Sequence, residues 1–225
     1  MDTIVYIDGY NLFYGRLRNT SFKWLDPVKL FQSISKIQNP SSNVIKVKYF
    51  TSRVKANFSS HGRDSIKAQD SYHRALKQTH GDGIDIIYGY HTVSMPPPLY
   101  KKPIDKGERV EVYKFEEKQT DVNIALHMYR DAIHEACTQQ VLVSNDSDLE
   151  LSLKLINEDK PKIDLGLIVP REKPPTSGKF RPPNKRLSQY VNWTRNYILD
   201  QECQDSQLND KVATRKKTII KPSYW

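Results

Sequence analysis

The chain has 225 residues, 37% hydrophobic and 27% charged, and carries a formal net charge of +9 at pH 7. That length supports one substantial core and leaves little for a second full domain. No apolar run approaches the roughly 20 residues of a membrane helix, and no basic-then-apolar leader opens the chain, so a soluble, cytoplasmic protein without a membrane partner is expected.

Residues 3 to 8, "TIVYID", form a short apolar run closed by Asp-Gly, the pattern of a buried strand whose carboxyl end opens into a loop. After Asp26 as cap, Pro27 to Ile37 predicts a helix, followed by a strand at "NVIKVKYFTS". The polar and basic stretch 53 to 64 leads into a helix over Ser65 to Thr79 and a strand at "IDIIYGYHTV". Residues 94 to 107 hold four prolines and are expected to form a flap, neither helix nor central strand. "RVEVYKFEE" reads either as a short extra strand or as the arm into the next helix, Asp121 to Cys137. A strand at "QVLVSN", a helix over Ser147 to Asn157 and a strand at "IDLGLIV" complete the alternation. Strands alternating with helices predict a mostly parallel sheet covered on both faces.

Residues 1–170 are thus expected to form the domain, and 171–225 a basic linker, helix and tail packed on or beside it. The linker composition lies at 170 to 184, and "LSQYVNWTRNYIL" predicts one last amphipathic helix. From Arg171 onward there are 12 basic and 5 acidic residues, a net of +7, leaving 23 against 21 for the rest. A tail of that sign is a solvated surface or a phosphate-binding one. Cys137 and Cys203 lie far apart without zinc spacing, which predicts a reducing compartment and no disulfide framework.

Acids gather where strands end. Asp8 closes the first strand, and Asp146 and Asp148 follow "VLVSN". Ligands of an open parallel sheet sit outside the carboxyl ends of its strands, so these acids are expected at one edge. Asp121 starts a helix on the side of its apolar stripe, Ile124, Ala125, Met128, Ala132. Each acid has a plainer reading alone: Asp146 as a helix cap with Asp148 and Glu150 as first-turn acids, Asp8 as a turn residue, Asp121 as a dipole partner. Together they point to a divalent cation that offsets their repulsion, and Mg²⁺ or Mn²⁺ takes such oxygen ligands. No GxxxxGKS, GxGxxG or GxSxG motif is present, and the six histidines lack the pairing of a zinc site.

"YIDGYNLFYG", "EEKQTDVNIALHMYRDA" and "VLVSNDSDLE", in that order over about residues 3 to 170, resemble the signature blocks of the NYN domain, a branch of the PIN-like nuclease superfamily. The closing "KTIIKPSYW" is similar to the ends of some single-domain members. The resemblance implies a three-layer α/β fold and metal-dependent phosphodiester hydrolysis, usually of RNA. It carries the catalytic acids onto Asp8, Asp121, Asp146 and Asp148, and implies that Asn11 positions Asp8, a water or a phosphate. Asn145, Leu149 and Leu151 stand where relatives often have glycine, phenylalanine and proline, which bears on subfamily more than on chemistry.

On this basis Asp8 and Asp146 are expected as direct ligands, with Asp121 and Asp148 acting through water or on a second ion about 4 Å away. Arg53, Lys55 and Arg63, with Lys101, Lys102 and Lys106 in the flap, are the expected RNA contacts beside the acids. Tyr14, Tyr90, Phe58 and Tyr100 offer stacking faces. A non-catalytic RNA-binding or partner-binding module is the alternative, disfavoured because a binder gains nothing from acids that repel phosphate. A phosphohydrolase with Asp8 as covalent nucleophile is disfavoured by Tyr10, where a second acid would stand.

Overall fold

The structure is a computed structural model that describes residues 1–93, 102–103, 109–110, 115–174 and 183–225; at 58, 91–93, 102–103, 109–110 and 115–118 it describes the backbone only. In chain order the elements are β1 (Asp2–Asp8), α1 (Gly9–Leu12), a π-helical turn (Phe13–Leu17), α2 (Pro27–Gln38), β2 (Asn43–Ser52), α3 (Arg63–His80) and β3 (Ile84–Val93). Then follow β4 (Lys102–Pro103), β5 (Arg109–Val110), β6 (Phe115–Lys118), α4 (Thr120–Ile133), β7 (Gln139–Val143), a 3₁₀ turn (Ser147–Leu149), α5 (Glu150–Asp159) and β8 (Asp164–Ile168). The chain closes with α6 (Lys185–Ser188), β9 (Trp193–Arg195), α7 (Asp200–Asp205), β10 (Lys211–Val212) and β11 (Ile219–Ile220).

Seven strands form one sheet in the order β6-β3-β2-β1-β7-β8-β9. All neighbours are parallel except β6, which runs antiparallel to β3, so "RVEVYKFEE" does contain an extra strand. The sheet is covered on both faces, as the alternation of β1 requires. Val5 and Ile7 pack with Leu30, Phe31, Ile34, Tyr72 and Leu76 from α2 and α3. Ile4 and Tyr6 pack with Ile124, Met128, Leu153 and Ile156 from α4 and α5. The result is the expected three-layer, mostly parallel α/β architecture. Asp26 caps α2 as expected, accepting from the Lys29 N–H at 3.1 Å. No helix among the described residues is long and apolar enough to cross a membrane.

Three expectations need correction. Asp8 opens into a helical turn rather than a loop. The helix starting near Asp121 stops at Ile133, four residues before Cys137. The predicted helix through "LSQYVNWTRNYIL" does not form: α6 stops at Ser188, and Trp193–Arg195 add a parallel strand beside β8. The reason is tertiary, since the Trp193 indole lies where a side chain on Gly166 would be, 2.1 Å from an ideal Cβ, and its Nε1 donates to Asp164 Oδ1 at 3.1 Å. In the C-terminal segment, Ile198, Cys203, Leu208 and Ile219 are buried in the core shared with α2 and α3. Both cysteines are free and buried, and burial pushes each thiol up to about 11.

Candidate active site

Asp8 continues the face of β1 set by Ile4 and Tyr6, and it sits at the carboxyl end of the central strand with 2% exposure. Its Oδ1 accepts from the Asn11 backbone N–H at 2.9 Å. Its Oδ2 accepts from Asn11 Nδ2 at 2.6 Å and from the Ser144 hydroxyl at 2.9 Å. The sequence permits this because Gly9 starts α1 directly after Asp8: a Cβ there would lie 2.5 Å from the Phe50 carbonyl oxygen and 3.1 Å from the Tyr49 ring. Only a residue without a side chain lets that turn press onto β2.

The same donors tie Asp8 to the acids after β7. Ser144 Oγ accepts from the Asp146 N–H at 3.1 Å, and Asn11 Oδ1 accepts from the Asn145 N–H at 3.2 Å. Asn145 Oδ1 in turn accepts from the Asn184 N–H at 3.1 Å, which brings the C-terminal segment into the network. Burial raises the Asp8 pKa, the three hydrogen bonds pull it down, and the neighbouring Asp146 charge pushes it up again.

Asp146 is half-buried and caps the 3₁₀ turn, accepting from the Asp148 N–H at 3.1 Å. The capping role and the proximity to Asp8 therefore coexist. Asp148 is exposed. Asp121 is half-buried in the first turn of α4. Lys118 at the end of β6 pairs with Tyr90 near the end of β3, and past the end of α4 the Thr138 N–H reaches the Asp2 carbonyl at 2.9 Å. So α4 runs from the carboxyl edge of the sheet to its amino edge and starts Asp121 at the edge of Asp8. Among the described residues no three His, Cys, Asp or Glu side chains converge closely enough to hold an ion by themselves. What the residues do provide is an oxygen-only donor set centred on Asp8 and Asp146. It suits a hard cation held by one or two carboxylates and completed by water and phosphate.

The basic candidates divide. Arg53 is ion-paired with Asp70 and stacks 4.3 Å over the Tyr88 ring. Lys55 lines a cleft of about 570 Å³ together with Gly9 and Tyr10. Arg63 is exposed at the start of α3. Lys102 lies in β4, described by its backbone only, while Lys101, Lys106 and Tyr100 fall outside the described residues. Sequence reasoning missed the cleft. Phe13, Tyr14, Arg18, Lys23, Tyr72, His73, Tyr224 and Trp225 also line it. Tyr224 stacks on His61 at 4.4 Å and 18°, and Trp225 packs 5.4 Å from Tyr72. The i, i+4 spacing of Tyr10 and Tyr14 was the available signal; the other walls come from remote segments.

A mostly parallel sheet sandwiched by helices, with Asp8 at the carboxyl end of its central strand and Asp146 just beyond the neighbouring β7, is the α/β architecture of a PIN-like fold. The chain belongs to the NYN domain family, whose model matches residues 2–181. It is 35% identical over 241 residues to 6-hydroxy-3-succinoylpyridine 3-monooxygenase HspA of Pseudomonas putida (strain DSM 28022 / S16), a match covering 99% of this chain and 75% of that protein. A crystal structure of a Vibrio parahaemolyticus RIMD 2210633 protein of unknown function is similar at 16% identity and a TM-score of 0.48, covering 88% of this chain and 93% of that one.

Proposed function

We propose that the protein is a metal-dependent ribonuclease that hydrolyses RNA phosphodiester bonds with Mg²⁺ or Mn²⁺. The observation that carries this reading is Asp8: a carboxylate with 2% exposure, fixed by three neutral donors, pressed by the charge of Asp146 and, among the described residues, in no ion pair with Lys or Arg. Burying a charge without compensation is costly, and a bound divalent ion supplies the compensation. Asp8 and Asp146 hold the ion in this reading, while Asp121 and Asp148 act on it through water. When bound, the ion supplies an activated water and neutralises charge growing on the phosphate. Asn11 and Ser144 keep the Asp8 oxygens fixed, so little reorganisation is needed as that charge develops. Lys55 offsets the repulsion between RNA and the acidic edge.

The test is incubation with labelled RNA and Mn²⁺ or Mg²⁺. Products should appear, vanish with chelator, and be lost in a folded Asp146→Asn protein. A fully active Asp146→Asn protein would falsify the mechanism.

One observation favours a second reading, hydroxylation of a heteroaromatic ring. The Pseudomonas relative bears a monooxygenase name and aligns along 99% of this chain, and the cleft is walled by aromatic side chains. It ranks second because a monooxygenase needs O₂ and a two-electron reductant, and the chain carries no GxGxxG motif to bind a dinucleotide donor. Oxygen-dependent turnover of 6-hydroxy-3-succinoylpyridine with NADH, unaffected by Asp146→Asn, would reverse the ranking.

A further inference from the structure

We propose that the cleft lined by Gly9 and Tyr14 binds a planar aromatic ring carrying an anionic group, namely the base and phosphate of one nucleotide of the RNA strand. The nucleotide assignment rests on the ribonuclease reading; the ring-plus-anion chemistry rests on the cleft alone.

Three observations converge. The first is exposed ring surface: Tyr14 is 56% exposed, with Tyr10 5.6 Å away at 31° and Phe13 edge-on at 5.2 Å. A large ring left in water at a cleft wall is a stacking surface that folding has not used. The second is charge. Arg18, Lys23 and Lys55 line the cleft and, among the described residues, no Asp or Glu side chain does, although Asp8 immediately precedes Gly9. Arg18 lies 5.3 Å from the Tyr14 ring centroid, so a cation and a ring face are presented together, as a base joined to a phosphate requires.

The third is position and construction. Gly9, the residue after Asp8, lines the cleft, so a strand whose cut bond lies at Asp8 would have its neighbouring nucleotide at the cleft. Phe13, Tyr14 and Leu17 of the lining belong to a π-helical turn, a rare geometry often found at binding sites. A volume of about 570 Å³ falls within the usual range of small-ligand pockets. Part of the lining is fixed already: His73 is held at 2.7 Å from the Tyr88 hydroxyl, and Gln69 bonds both the Val54 N–H and the Ser52 carbonyl at 2.9 Å. A prepared lining beside an exposed ring is what a ligand site needs.

Binding of four probes is measured by tryptophan fluorescence and calorimetry on the whole chain with chelator present: adenosine 5′-monophosphate, adenosine, ribose 5-phosphate and nicotinate. Adenosine 5′-monophosphate should bind at least tenfold more tightly than the other three. Tyr14→Ala should weaken it roughly fivefold or more and leave ribose 5-phosphate unchanged. Arg18→Ala should weaken it and ribose 5-phosphate roughly three- to tenfold and leave adenosine unchanged. A variant that merely misfolds cannot produce that crossed pattern.

Ribose 5-phosphate binding as tightly as the nucleotide would make this a bare anion site and overturn the proposal. Nicotinate binding more tightly than the nucleotide would overturn the RNA source in favour of a small aromatic acid. Wild-type affinities in both variants would place any binding elsewhere. Binding is read with chelator and cleavage in the separate assay with Mg²⁺ or Mn²⁺, so nucleotide binding without cleavage in the metal assay would sink only the hydrolysis reading, and cleavage there without nucleotide binding only this one.

Discussion

Two aspartates are buried on the same face of the sheet, and their surroundings differ in kind. Asp131, near the end of α4, accepts from the Tyr6 hydroxyl at 2.6 Å and is ion-paired with Lys48, both partners of that pair having side chains 12% exposed. His127 lies 3.5 Å from the same ammonium. Among the described residues Asp8, two residues along β1 from Tyr6, receives only neutral donors, and it has a second acid for a neighbour. Burial raises both the Tyr6 hydroxyl pKa and that of Asp8, but among the described residues only the first site contains a positive charge that balances its carboxylate. A cation built into the chain marks a carboxylate used for folding. In the proposed reading, Asp8, immobilised without one, takes a charge that arrives from outside.

The contrast predicts opposite phenotypes. Asp8→Asn should cut RNA hydrolysis by roughly 100-fold or more, while stability shifts by no more than about 1 kcal/mol. Asp131→Asn should destabilise by about 3 to 5 kcal/mol in urea titration, because the Lys48 ammonium loses its carboxylate, with cleavage by the remaining folded protein unchanged. If the two substitutions exchange these effects, the distinction fails.

A smaller effect comes from pH. The folded pKa of Asp8 lies above its unfolded value, so its contribution to stability is full below the unfolded pKa and is lost as pH rises through the folded one. Activity needs the ionised form and should fall as pH drops through that raised value. Because an ion competes with the proton, more Mn²⁺ should move the acidic limb of the rate profile to lower pH. A limb that ignores metal concentration would assign the titration to another group. The smallest expected effect is at the cleft lysine: Lys55→Ala should lower the salt slope of RNA binding by about 0.7.

The apolar runs at residues 43–52 and 84–93 match β2 and β3 in full, because buried strands end where their hydrophobic run ends. Asp8 and Asp146 were legible as neighbours because parallel topology fixes which strand ends share an edge. The donors that hold Asp8 were only half legible. Asn11 came through resemblance, but the bridging of Asp8 and Asp146 by Ser144 depends on the register of β1 with β7. Trp193 was misread because helical spacing around Leu187 and Tyr190 is a local signal, while its actual partner is Gly166, 27 residues earlier. The Lys48–Asp131 pair and the cleft were invisible for the same reason: their members meet only after distant segments pack.

Strand β9 is three residues long, lies beyond the family match that ends at residue 181, and is the outermost strand on its side. It therefore acts as a selvedge. A fragment cut at the family boundary would keep every candidate acid yet present the bare backbone of β8, whose Leu165, Leu167 and Ile168 are buried, as a template for cross-strand self-association.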